Sequence, residues 1–167
     1  GAPYLPRKAP ASGRRVAVVG AGPAGLAAAH ALLCAGHDCT LFERRESPGG
    51  GLRASELAAR LPADILDAEI QTVVRLGLTL AVGVEIGRDL ALDELKRRFD
   101  AVILACGEAP ADAMPRFGLP SGPRGILVER RTFRTGDPVL FACGGAVLPG
   151  RLAVQAINGR DMPLVQA

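Results

Sequence analysis

Short runs of apolar residues alternate along the chain with longer segments in which apolar residues recur every three or four positions. The short runs are rich in Val, Ile and Leu and are typical of strands buried on both faces; they cover residues 15–20, 37–43, 78–86, 100–105 and 139–142. The longer segments predict helices at residues 23–35, 62–76, 90–98 and 152–158. This alternation predicts an α/β fold with a central parallel sheet.

Composition narrows the classes of protein to which the chain can belong. Apolar residues make up 49% of it but aromatic residues only 4%, so the core must be aliphatic. A net charge of +3 without a dense basic face argues against a nucleic-acid-binding protein. No apolar run reaches the roughly 18 residues of a membrane span, and no signal peptide is recognised. The cysteines form no CxxC pair, which indicates reduced thiols and a cytoplasmic location; they are Cys34, Cys39, Cys106 and Cys143.

Two regions differ in composition. Residues 1–13 are rich in proline and small residues, with a basic cluster, and predict an extended arm. Residues 14–167 hold one series of strands and helices without a long spacer. They predict a single domain.

A GxGxxG motif (GAGPAG, residues 20–25) lies between the first strand and the first helix. In this pattern Gly20 permits a tight turn, Gly22 lets a pyrophosphate approach the backbone, and Gly25 lets the helix pack closely on the strand. Pro23 and Ala24 begin the helix, whose N-terminus attracts phosphate groups. The motif therefore predicts a dinucleotide site.

Glu43 ends the second strand, 23 positions after Gly20. A carboxylate at this distance accepts the hydroxyls of a ribose. Arg44 follows it and is expected to lie over the adenosine. A glycine-rich turn without a ligand remains the alternative, and the motif alone does not distinguish NAD from FAD.

Later segments resemble flavoproteins. Residues 43–50 (ERRESPGG) look like the signature of an acid, five residues and a glycine pair, where the chain crosses the ribityl and phosphate region of the flavin. Residues 100–107 (DAVILACG) resemble the "DAVxxATG" strand that passes the FAD. Residues 139–145 (VLFACGG) with 152–159 (LAVQAING) resemble the closing segment, whose helix faces the flavin. The resemblance implies FAD and further cofactor-binding residues: Gly50, Gly51, Leu52, Ala105, Cys106, Gly107, Gly144, Gly145, Leu152 and Ala153.

The middle of the chain, from RLP at residues 60–62 to residue 107, looks like the FAD domain of the glutamate synthase small subunit. Dihydropyrimidine dehydrogenase and ferredoxin–NADP reductases of the adrenodoxin reductase type share this domain. The resemblance implies a three-layer Rossmann-like FAD-binding domain with a central parallel sheet. In that family the residue matching Arg60 touches the FAD phosphates and the residue matching Ile86 lies by the adenine.

The chain departs from the family pattern in ways that bear on function. Gly145 stands where the family has the acid that orders hydrogen bonds of the ribityl chain and phosphates. Only residues 108–138 separate the "DAVxxATG" segment from the closing segment, whereas the family has a complete nicotinamide domain there. This span is too short for a second Rossmann unit. The nicotinamide domain is therefore expected to be absent.

These features predict an FAD-carrying electron-transfer module of a larger oxidoreductase complex. The flavin would carry the redox chemistry, so no side chain is expected to act as acid, base or nucleophile. The expected partner is a redox subunit, with iron–sulfur clusters as in the resembled enzymes, or a second copy of the chain. The alternative function, favoured by Gly145, is a non-catalytic interaction subunit in which FAD is structural or lost.

Two further expectations concern surfaces and thiols. Residues 108–125 carry Met114, Phe117 and Leu119 without a helix of their own, and with residues 1–13 they are expected to form a contact surface. Cys106 and Cys143 follow strands that converge on the cofactor, which favours either a close thiol pair or two small core residues. No metal site is predicted.

Overall fold

Five parallel strands form the central sheet of the protein in a computed structural model, which describes residues 5–53, 59–108, 117–119, 121–122 and 125–147. The described strands are β1 (Arg15–Val19), β2 (Asp38–Glu43), β3 (Thr79–Val82), β4 (Ala101–Leu104), β5 (Ser121–Gly122), β6 (Gly125–Ile126) and β7 (Leu140–Ala142). The sheet has the order β3-β2-β1-β4-β7, and β5 and β6 form a separate antiparallel pair. In the sheet, Val18 is aligned with Leu41 of β2 and with Ile103 of β4. The predicted parallel sheet is confirmed.

Helices cover both faces of this sheet. The described α-helices are α1 (Pro23–Cys34), α2 (Ala63–Arg75) and α3 (Leu92–Arg98). Successive residues of β1 point to opposite faces, so Val18 packs with Leu32 of α1 while Val19 packs with Leu95 of α3. Val73 of α2 packs on the α1 side. The three-layer arrangement is thereby confirmed, and none of the described helices is long and apolar enough to span a membrane.

Most described elements lie within two residues of the predicted bounds. Among the predicted elements β3 is the exception, because it was expected to reach residue 86 but ends at Val82. The short strands β5 and β6 were not predicted. Gly83 adopts φ +70°, which interrupts the extended backbone, and Val84 N donates instead to Glu43 O at 3.0 Å. The helix predicted at residues 152–158 lies outside the described residues.

The N-terminal segment packs on the C-terminal end of α1. Residues 5–14 form neither helix nor strand. Ala9 N donates to Cys34 O at 2.8 Å, and Ser12 N donates to Gly36 O at 2.9 Å. These bonds attach the segment to its own chain. They give no support to the expectation that the arm lies in an interface.

Phe117 is not exposed as the contact surface predicted in residues 108–125 would require. Phe117 is only 7% exposed and belongs to the α3-side core, and Leu119 packs against the same core. Phe117 packs on the same face of the sheet as the seven-residue helix α3. Met114 lies outside the described residues.

Asp137 links the turn before β7 to α3. Lys96 Nζ lies 2.5 Å from Asp137 Oδ2, and the hydrogen bond from Lys96 lowers the pKa of Asp137. Because the folded-state pKa is the lower one, the pair stabilises the fold above the unfolded pKa of about 4, and this contribution is lost as the pH falls through the folded-state value. We expect Asp137→Asn to lower the free energy of unfolding at neutral pH by about 1 kcal/mol, and by less at about pH 3.

Urea unfolding followed by circular dichroism at both pH values measures this difference. Glu94→Gln is the control, because Glu94 forms an exposed i,i+4 pair with Arg98 on the same helix. Glu94→Gln is expected to lower the free energy of unfolding by no more than about 0.5 kcal/mol. An equal loss for Asp137→Asn at both pH values would contradict the assignment.

Candidate functional site

The turn between β1 and α1 is built from glycines that meet backbone atoms directly. Gly20 adopts φ +104°, and a Cβ there would overlap the backbone of Ala105 beyond β4. A Cβ at Gly25 would overlap the carbonyl oxygen of Gly20. Because neither position has room for a side chain, the start of α1 lies directly against the exits of β1 and β4.

Gly22 differs from these two glycines because the space beside it is open. Its φ is −76°, and a Cβ there would have no atom within 4 Å. Gly22 immediately precedes α1, and its carbonyl accepts the N–H of Leu26 at 3.0 Å. The first N–H groups of a helix have no intrahelical partner. The open space therefore lies at the positive end of the α1 dipole, where an anion is stabilised.

Glu43 points from the end of β2 toward this turn and is only 6% exposed. Its Oε2 accepts the N–H of Ala21 at 2.8 Å, and its Oε1 accepts the N–H of Arg45 at 2.9 Å. A carboxylate has about four lone-pair positions, so each oxygen keeps the capacity for another donor. Two backbone bonds thus fix the carboxylate, and it is able to accept further hydroxyl groups.

Residues 48–53 cross over the turn and are called the glycine crossing below. Gly49 N donates to Ala21 O at 2.8 Å. Gly50 adopts φ +54°, and a Cβ there would lie 2.9 Å from Gly22 Cα. The GxGxxG turn and the glycine pair are therefore in direct contact, although some 25 residues separate them in the sequence.

The exits of β4 and β7 lie together at the same edge of the sheet. A Cβ at Gly145 would lie 3.0 Å from Glu108 N and 3.3 Å from Glu108 Cγ. Gly107 and Gly144 adopt φ +74° and φ +65°. An acid at position 145 would need Glu108 to shift, so this chain carries an acid beside that position instead of at it.

The other predicted site residues lie in different settings. Arg44 and Arg60 are exposed, and Arg60 belongs to the turn before α2. Ile86 is 3% exposed within the α3-side core. Leu152 and Ala153 lie outside the described residues. Those near the turn or the crossing range from buried to exposed: Ala24 and Ala105 are buried, Pro23, Leu52 and Cys106 are half-buried, and Gly51 is exposed.

Cys106 and Cys143 pack on opposite faces of the sheet. Cys143 belongs to the α1-side core, and Cys106 packs against the α3-side core. Burial, with a smaller contribution from Cys106, raises the pKa of the Cys143 thiol to about 12. Neither forms a disulfide, and the described residues contain no group of three or more metal-binding side chains. This arrangement favours two small core residues over a thiol pair.

Two residues at this site escape the sequence patterns. Ala21 connects Glu43 to Gly49, but it does so through backbone atoms that any residue supplies. Arg53 folds back over the glycine crossing and forms an ion pair with Asp67 of α2. A basic residue directly after three glycines and a leucine was the available signal for Arg53.

The glycine crossing offers a paired test of its geometry. Gly50→Ala places a Cβ at positive φ and against Gly22, which is expected to lower the free energy of unfolding by about 1–3 kcal/mol. Gly51→Ala is the control, because a Cβ there meets no atom within 4 Å and its φ is not positive; its effect should stay within about 0.5 kcal/mol. Chemical denaturation measures both, and equal effects would contradict the described contact.

The matches to related sequences extend over most of this chain but over only a small part of each related protein. The NADP(+)-dependent formate dehydrogenase subunit beta of Moorella thermoacetica is 40% identical over 116 residues, which are 70% of this chain and 16% of that protein. The glutamate synthase (NADPH) small chain of Bacillus subtilis is 43% identical over 105 residues, 63% of this chain and 21% of that protein. The chain thus spans about a fifth or less of these two proteins.

The fold has a counterpart of similar size. The crystal structure of Thermovibrio ammonificans THI4 superposes with a TM-score of 0.58 at 16% identity, over 92% of this chain and 87% of that one. At this identity the likeness concerns the fold alone. Residues 7–160 match the family described as "Pyridine nucleotide-disulphide oxidoreductase". With most of its length matched in this way, the chain belongs to the pyridine nucleotide-disulphide oxidoreductase family.

Proposed function

We propose that this chain binds FAD at the carboxyl edge of its sheet and serves as an electron-transfer module of a larger oxidoreductase complex. One observation carries the proposal. Gly20, Gly25 and Gly50 are packed against backbone, while Gly22 between them faces open space at the N-terminus of α1. A pyrophosphate needs this combination of close backbone approach and free N–H groups.

The neighbouring residues fit the rest of such a cofactor. Glu43 retains acceptor capacity for the adenosine ribose, next to the turn. The glycine crossing lies on the turn, and flavoproteins of the resembled kind pass the ribityl chain at this point. The remaining proposed contacts are Arg44, Arg60, Ile86 and the β4 and β7 exits at Cys106, Gly107, Gly144 and Gly145. When bound, FAD supplies the redox chemistry, and the protein orients it.

We further propose that the nicotinamide site lies elsewhere than in residues 108–138. The support is the length of this span, which does not accommodate a βαβ unit with its own phosphate-binding turn. The chain also spans only 16% of the formate dehydrogenase subunit and 21% of the glutamate synthase chain. Electrons would then pass to or from a redox partner, for which an iron–sulfur protein or a second copy is the expected class. Because none of the four cysteines forms a disulfide, a reducing cytoplasm is the expected location.

A second candidate function rests on Gly145. Glu108 occupies the space beside this glycine, so the acid that the resembled family has here does not fit without a shift. An interaction subunit that keeps the fold and binds FAD only structurally, or not at all, agrees with this feature.

FAD binding is tested on the purified protein. We expect about one FAD per chain in the supernatant after heat release, because the turn, Glu43 and the glycine crossing are all present. Gly22→Ala is expected to weaken FAD binding at least about tenfold, because its Cβ fills the open space. Its free energy of unfolding should change by less than about 0.5 kcal/mol, because that Cβ meets no protein atom.

Fluorescence titration with FAD measures the affinity of the parent protein and of Gly22→Ala. Urea unfolding of both proteins measures the free energy of unfolding. Gly136→Ala serves as the matched glycine control away from the proposed site, because a Cβ there also meets no atom within 4 Å. Colourless protein that takes up no added FAD would leave the interaction subunit as the remaining candidate.

The absence of a nicotinamide site in residues 108–138 predicts slow reduction by NADH and NADPH. Stopped-flow absorbance of the FAD-loaded protein should show no rapid bleaching with either nucleotide. Dithionite is the positive control, because it reduces flavins without a nucleotide site. Rapid bleaching by one nucleotide would show that nicotinamide reaches the flavin directly on this chain.

A further inference from the structure

We infer that Arg53 is a positioning residue that holds the glycine crossing on the GxGxxG turn, so that FAD meets a preformed site. This inference rests on the proposed function for the ligand, but the contacts themselves are properties of the protein alone. The two side-chain bonds of Arg53, one to Pro48 and one to Asp67, are together called the Arg53 clamp below.

The glycine crossing has little stiffness of its own. Gly49 and Gly50 both adopt positive φ, and Gly51 follows them. Glycine loses more backbone freedom on ordering than any other residue. The backbone bond from Gly49 to Ala21 and the short turn Gly50–Leu52 oppose this loss. Three consecutive glycines therefore gain from an additional tether by a side chain.

Arg53 supplies that tether by folding back along the crossing. Its Nε donates to the carbonyl oxygen of Pro48, and its Nη2 pairs with Asp67 Oδ1. The same side chain covers Gly49, since a Cβ there would lie 2.9 Å from Arg53 Nε and 3.2 Å from Arg53 Cγ. The clamp thus joins the residue before the glycines, the first glycine and helix α2.

The chemistry of the clamp requires arginine. The guanidinium is planar and presents its donors in a rigid fork, so two of them reach acceptors in different directions. A lysine has one ammonium on a flexible stem and does not reproduce both bonds in this geometry. The Arg53 side chain is 23% exposed, so water competes less for it than for Asp67, which is 58% exposed. The bond to Pro48 is therefore the stronger half of the clamp.

The consequence for binding is specific to one part of the cofactor. On the proposed function, the adenosine end would lie at Glu43 and the turn, whereas the side-chain hydrogen bonds described for Arg53 go to Pro48 and Asp67. The flavin end would pass the glycine crossing, which the clamp holds. Loosening the crossing should therefore weaken FAD more than ADP, which lacks the ribityl chain and flavin.

The experiment compares Arg53→Ala, Arg53→Lys and Asp67→Ala with the parent protein by calorimetric titration of FAD and of ADP. We expect Arg53→Ala to weaken FAD binding at least about tenfold and ADP binding less than about threefold, as loss of hydrogen bonds from a charged donor implies. Arg53→Lys should stay at least about fivefold weaker for FAD, because it keeps the charge but not the fork. Arg98→Ala is the control, since it removes an exposed ion pair with Glu94 on the other side of the sheet.

Amide hydrogen exchange of the cofactor-free proteins tests the clamp without a ligand. Arg53→Ala should speed exchange at residues 49–53 at least about tenfold, with β1 and β4 unchanged. If that variant does not fold, Asp67→Ala removes only the exposed half of the clamp and should speed the same amides by about threefold. Unchanged exchange at residues 49–53, or equal weakening of FAD and ADP, would overturn the clamp. Failure of the parent protein to bind FAD would overturn the proposed function, while faster exchange in the variants would still support the clamp.

Discussion

Direct contact between backbone and backbone holds the carboxyl edge of this sheet together. At Gly20, Gly25 and Gly50 a single added carbon would strike a neighbouring main-chain atom. Two of these contacts join distant parts of the chain: Gly20 meets the exit of β4, and Gly50 of the glycine crossing meets the turn. The third, at Gly25, packs the start of α1 on Gly20 within the same turn. Because a close-packed interior has few voids, an added carbon at these positions would have to displace neighbouring atoms. These three positions therefore have to be glycine for the strand ends, α1 and the glycine crossing to pack as they do. The open space at Gly22 lies between them.

The parallel sheet explains why this edge collects chemistry. Every strand from β3 to β7 in the sheet order ends at the same side, so the residues after β1, β2, β4 and β7 become neighbours. Both faces are covered, by α1 and α2 on one side and α3 on the other, which leaves the strand ends as the accessible part of the sheet. Glu43 shows the result: it is buried and bonded to the turn after β1 although it ends β2.

Patterns in the sequence were sufficient for elements whose signal is local. The Val-rich run before Gly20 and the Ala- and Leu-rich run after it defined β1 and α1, and Gly36 marked the end of that helix. The patterns were misleading where the environment decided. Phe117, in a Pro- and Gly-rich segment, was expected at an exposed contact, yet it is buried in the α3-side core. β3 ended early because Gly83 turned the backbone at positive φ.

By itself the sequence determined the α/β class, the order of its elements and the turn in which Gly22 stands, because hydrophobic period and glycine spacing act within a few residues of the chain. The motif spacing already indicated that Gly25 packs closely and that Gly22 stays open. Only the tertiary structure brought Ala105 onto Gly20 and Gly50 onto Gly22, because those contacts come from distant segments. The tertiary structure also placed Cys143 and Cys106 in different core clusters and brought Arg53 onto Pro48 and Asp67. Such contacts join residues through space, and the sequence carries no period or spacing that encodes them.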